Sequence, residues 1–200
     1  MSSRSGTFSH GLLGLLLLLF AFQPLLTRHA LGALLLTAVI GLCVMVQRHR
    51  LVAGALAVFA VAFTWWPEAP EIARDAVSAG FLGWTCAWLL ADLLRQRRVT
   101  GASISAALCA YLLVGLTFAF VYNVLGRAAF IGASSSDPLE FAYFSFVTLT
   151  TLGYGDVLPV APYARSLAVL EAVTGQIVLV VLVARLVGMH VAAHLEDTDG

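Results

Sequence analysis

The chain has 200 residues, of which 60% are hydrophobic and 11% charged, a composition outside the range of ordinary soluble domains. Formal net charge is zero and every basic side chain is arginine, so no basic face is available and nucleic acid is excluded as a partner. A mean hydropathy of +0.94 puts the chain in a bilayer, with membrane lipids as its surroundings.

The first apolar run, Gly11–Leu26, follows Arg4 but lacks a small-x-small cleavage site before Arg28, and it is taken as a membrane span. Further spans are expected at Ala30–Val46, Leu51–Trp66 and Ala76–Ala91. Each of these four is about sixteen residues, or roughly 24 Å of helix. Flanking residues such as His10, Arg28, Arg50 and Trp66 must therefore complete the crossing. Ala102–Leu125 and Ala164–Met189 are long enough to cross unaided. The expected fold is an all-α membrane protein of six helices. Residues 1–100 form a four-helix module and residues 101–200 a second module, with the Arg95-Gln96-Arg97-Arg98 link as boundary. Arg4, Arg48, Arg50, Arg95, Arg97 and Arg98 fall on one side of this arrangement, which makes both termini cytoplasmic. Cys43, Cys86 and Cys109 each sit inside an apolar run and read as small core residues.

Between the last two spans, Leu139–Thr150 is apolar yet too short to cross, so it must enter and leave on the same side. Asp137 is a good helix N-cap, Pro138 suits the first helical position and Glu140 fits a capping box. A short re-entrant helix over 138–150 is expected. It runs into Thr148-x-x-Thr151-Leu152-Gly153-Tyr154-Gly155-Asp156. Glycine tolerates positive φ, so alternating it with Leu152 and Tyr154 lets consecutive carbonyl oxygens share one side of the strand, where an ordinary strand alternates them.

This stretch resembles the signature sequence of the potassium channel superfamily. The resemblance implies a selectivity filter at Thr151, Leu152, Gly153, Tyr154 and Gly155, binding dehydrated potassium ions as the permeant ligand through the carbonyls of Thr151, Leu152, Gly153 and Tyr154 and the Thr151 hydroxyl. One copy per chain then requires four chains, a homotetramer. Asp156 would ring the outer mouth. The Tyr154 ring is expected to point into Tyr143 and Phe144 of the re-entrant helix, with Thr148 at the helix end as a further support. The family more often carries tryptophans at the positions of Tyr143 and Phe144, and valine at that of Leu152.

Aligned from the filter, Gly175 falls on the family's inner-helix hinge glycine; close packing against the re-entrant helix is the alternative. The same alignment sets Gln176, Leu179 and Val183 along the cavity and Val187 near a cytoplasmic constriction. Arg185 should turn from the lumen and snorkel. Glu171, an ionisable group inside a span, reads either as a hydrogen-bonded strut with Ser145 or Thr148 as partner, or as a group whose protonation tunes conductance. The fourth span has no arginine, which implies a channel without a voltage sensor. Eleven residues follow Met189, and they read as a solvated tail in which His190 and His194 are four apart. No nucleophile stands beside a plausible base, so no catalysis and no cofactor are expected. The compact chain and the resemblance imply a bacterial inner membrane. A non-selective cation channel and a non-conducting membrane scaffold are the rival readings.

Overall fold

The computed structural model describes residues 69–95, 101–133 and 138–198. The expected spans at Gly11–Leu26, Ala30–Val46 and Leu51–Trp66, the N-cap at Asp137, and the side chains of His190 and His194 lie outside what is described.

Pro70 opens the first described helix, its carbonyl accepting from the N–H groups of Ala73 and Arg74. Helix α1 spans Glu71–Arg95, with an acid in its first turn and a base in its last, as the helix dipole favours. It is longer than the expected Ala76–Ala91 because polar residues at both ends lower hydropathy without interrupting helix formation. Its buried stripe, Ser78, Phe81, Leu82, Thr85, Cys86, Leu89 and Leu93, recurs at spacings of three and four and faces helix α2, Gly101–Leu125. The buried hydroxyl of Thr85 is satisfied within its own helix, donating to the Phe81 carbonyl at 2.8 Å.

Helix α2 is apolar on every face and packs on both sides, against α1 and against the two helices that follow. It ends at Gly126, whose N–H still bonds to the Tyr122 carbonyl and whose φ of 76° and ψ of 164° are a conformation open essentially to glycine alone. A 3₁₀ turn at Arg127–Ala129 leads into strand β1, Phe130–Ile131. Helix α3 runs over Pro138–Leu149, within one residue of expectation. Strand β2, Leu158–Pro159, pairs antiparallel with β1, Phe130 opposite Pro159 and Ile131 opposite Leu158. Helix α4, Pro162–Thr198, continues beyond the expected Met189, so the backbone through His190 and His194 is helical.

Three of the four described α-helices, α1, α2 and α4, have segments long and apolar enough to cross a membrane, while α3 is far too short. The core has two parts. One joins α1, α2, Leu149 of α3 and Leu182 of α4. The other gathers Tyr122, Phe130, Phe141, Phe144, Val157 and Ala164 around the ribbon.

Candidate functional site

The last four carbonyls of any helix lack intrahelical partners, and at the end of α3 each is taken by a particular group. Phe146 accepts from the Thr150 N–H at 3.1 Å, Thr148 from the Thr151 N–H at 2.9 Å, and Val147 from both Leu152 and Gly153 at 2.9 and 3.2 Å. Leu149 accepts from the Tyr111 hydroxyl at 3.3 Å. The N–H groups of residues 151–153 are thus turned back onto the helix. Their carbonyls, with those of Tyr154 and Gly155, accept no hydrogen bond from the described residues.

Backbone hand alternates through the same stretch. Thr151, Gly153 and Gly155 have φ of 59°, 57° and 81°, whereas Leu152 and Tyr154 do not enter the positive region. Alternation of this kind puts successive carbonyls on one side. The two glycines adopt it freely. Thr151 is β-branched and pays about 1–3 kcal/mol for the same conformation, held there by its neighbours' bonds to α3. Its hydroxyl donates to the Thr150 carbonyl at 2.6 Å, which leaves its lone pairs free to accept.

At the outer end the Tyr143 hydroxyl donates to Asp156 Oδ2 at 2.6 Å. That bond, with backbone N–H groups, holds the Asp156 carboxyl below its usual range, and pushes the Tyr143 phenol up to about 12. The Tyr143 and Tyr154 rings stack nearly parallel, 6.4 Å apart. Phe144 does not join them, contrary to expectation. One position further along α3 it lies on the opposite side, buried edge-on against Tyr122 and Phe130 at 5.0 and 5.3 Å. Thr148 contributes its backbone carbonyl.

Behind the strand, Glu171 is wholly buried. Ser145, one of its expected partners, contacts Oε1; at Oε2 the Tyr122 hydroxyl donates from 2.6 Å, where the sequence suggested Thr148. Gly175 meets α3 directly: a methyl there would lie 2.6 Å from Leu149 Cδ1 and 2.8 Å from its carbonyl oxygen. Gln176, Leu179, Val183 and Val187 are all exposed on α4.

Sequence reasoning missed Tyr122, Gly115, Leu149 and Gly132. A tyrosine deep in an apolar span needs a partner for its hydroxyl, and a helical glycine needs a packing reason, so Tyr122 and Gly115 were open to detection. Gly132 left no comparable signal. Its φ is 84°, and a methyl there would fall 1.8 Å from the Asp156 carbonyl oxygen, so the ribbon backs closely onto the outer end of the site.

Residues 106–191 match the family model described as "Ion channel". The chain is similar to "Two-pore potassium channel 4" of Arabidopsis thaliana, 35% identical over 86 residues covering 43% of this chain and 30% of that protein. It is also similar to "Protein LctB" of Bacillus caldotenax, 38% identical over 87 residues covering 38% of this chain and 64% of that one. The chain therefore spans less than two thirds of the length of either curated relative. No solved structure matches it. The three long apolar helices support a membrane protein, and the matched segment, under half of the chain, is similar to ion channel proteins.

Proposed function

We propose that the chain is one of four identical subunits of a potassium-selective channel in a bacterial inner membrane, with six spans and both termini cytoplasmic. Residues 151–155 serve as the filter. The observation that carries this reading is the alternating backbone hand from Thr151 to Gly155, with the N–H groups of residues 151–153 spent on α3. A potassium ion must replace its hydration shell with oxygens. A strand whose carbonyls share one side, unclaimed by protein donors, offers four main-chain ligands and the Thr151 hydroxyl, and four such strands around an axis complete the shell. Asp156 at the outer end concentrates cations. Gln176, Leu179 and Val183 line the inner cavity, and Val187 narrows its cytoplasmic end, where an apolar ring closes by dewetting.

Purified full-length protein in liposomes should carry potassium down its gradient and discriminate against sodium. Tyr154→Ala should abolish the discrimination, because the stacked Tyr143–Tyr154 pair no longer braces the strand. Equal transport of both ions by the wild type, or selectivity unaffected by the substitution, would refute this assignment.

A further inference from the structure

Three helices meet at Glu171, and the hydrogen atoms available there decide its state. The Tyr122 hydroxyl of α2 donates to Glu171 Oε2. Ser145 Oγ of α3 lies within hydrogen-bonding contact of Glu171 Oε1 and also 2.6 Å from the Gly115 carbonyl oxygen of α2. A serine hydroxyl has one proton, a carbonyl only accepts, and an ionised carboxylate only accepts. With Glu171 ionised, Ser145 would face two acceptors with a single hydrogen, and one close oxygen pair would have none between its members. One more proton, on Oε1, completes the set: Glu171 donates to Ser145, Ser145 donates to Gly115, and Tyr122 donates to Glu171. Three contacts then hold three protons.

The surroundings agree with that count. Glu171, Ser145 and Tyr122 are all fully buried. The titratable groups that face Glu171 are Tyr122 and, more distantly, Tyr111, both from α2, and α3 presents Ser145. On α4 itself the arginines are spent elsewhere: Arg165 Nε donates to the Pro159 carbonyl, and Arg185 is fourteen residues along, about 21 Å of helix. No cationic group among the described residues pairs with Glu171, and a buried charge without a partner is costly.

We propose that Glu171 is a positioning residue for ion selectivity and acts as a neutral acid, latching α4 to α2 and α3 behind the filter. The route to the filter is short, because Ser145 is two residues from Val147, whose carbonyl holds the N–H groups of Leu152 and Gly153. A shift of α4 would thus be carried to the strand. This inference rests on the pore reading above.

The test uses the full-length protein in bilayers, with reversal potentials measured in mixed potassium and sodium, and infrared difference spectra between variants. Glu171→Gln preserves one donor and one acceptor in the same geometry, so its permeability ratio should stay within about twofold of the wild type. The wild-type spectrum should contain a carboxylic-acid carbonyl band that this variant lacks. Glu171→Leu keeps bulk but removes every hydrogen bond, and relative sodium permeability should rise about tenfold. Should the leucine variant fail to assemble, Ser145→Ala breaks the same relay with less disturbance and should raise the ratio in the same direction. A glutamine variant as unselective as the leucine one would overturn the proposal. So would the absence of the acid band, or an unchanged ratio in both Glu171→Leu and Ser145→Ala. A wild type that passes no potassium overturns the pore reading instead, and the infrared comparison still decides whether Glu171 is neutral.

Discussion

The hydrogen bond from Tyr143 to Asp156 depends on pH in both directions. Asp156 is held below its usual range, so it is the ionised form that the bond stabilises. Its contribution is complete above the ordinary carboxylate value near 4 and is lost as pH falls through the depressed one. Tyr143 is pushed the other way, from 10.0 to about 12. Its contribution is present below its ordinary value and lost as pH rises through about 12. Tyr143→Phe removes the shared bond. The acid midpoint of potassium flux should then move upward, toward that of an ordinary carboxylate, as read by flux against external pH; an unmoved midpoint would show that the bond does not hold Asp156. At this scale the alternating backbone of residues 151–155 was legible because it leaves a mark in residue type, two glycines in alternation. The pairing of Tyr122 with Glu171 was not, since the two lie 49 positions apart and no local pattern records it.

Helix α4 buries a narrow seam, Ala164, Glu171, Gly175 and Leu182, at spacings of seven, four and seven, which keeps it against α2 and α3. Between apolar helices in lipid there is little hydrophobic gain from association, and close packing of small residues takes its place. Gly175 is that close point, with Leu149 seated on it. Gly175→Ala should force Leu149 and the end of α3 to move, at about 1–3 kcal/mol. Gly188→Ala meets nothing within 4 Å and should be neutral or stabilising by up to about 1 kcal/mol through helix propensity. Thermal denaturation of the detergent-solubilised assembly compares the two, and equal midpoints would argue against the seat. Among the elements, α3 was read almost to the residue from Pro138 and its apolar length. The β1–β2 ribbon was invisible because two-residue strands have no periodicity. The ends of α1 were misplaced because hydropathy falls at Glu71, Arg74, Asp75, Asp92 and Arg95 while the helix continues.

In the proposed pore the strand of residues 151–155 lies at membrane depth, where a single copy of the described fold would leave its carbonyls unpaired. The carbonyls of residues 151–155 have no donor among the described residues, and Leu152 and Tyr154 are 55% and 67% exposed beside them. Backbone of this kind is tolerated at membrane depth only where it lines a water-filled or protein-bounded cavity. The same chain exposes Val169, Leu170, Val173, Ile177, Val180, Val181, Val183 and Val187 around most of α4, more than a single lipid-facing stripe requires. Both facts fit the proposed assembly, in which further copies surround the strand under closed rotational symmetry. In the proposed pore, four strands around one axis supply the oxygens that replace the hydration shell. Native mass spectrometry of the detergent-solubilised protein should therefore give four times the 21.2 kDa of the chain. A dimer or trimer as the largest stable species would leave the carbonyls of residues 151–155 with too few partners to replace a potassium hydration shell, and the pore reading would fall with it.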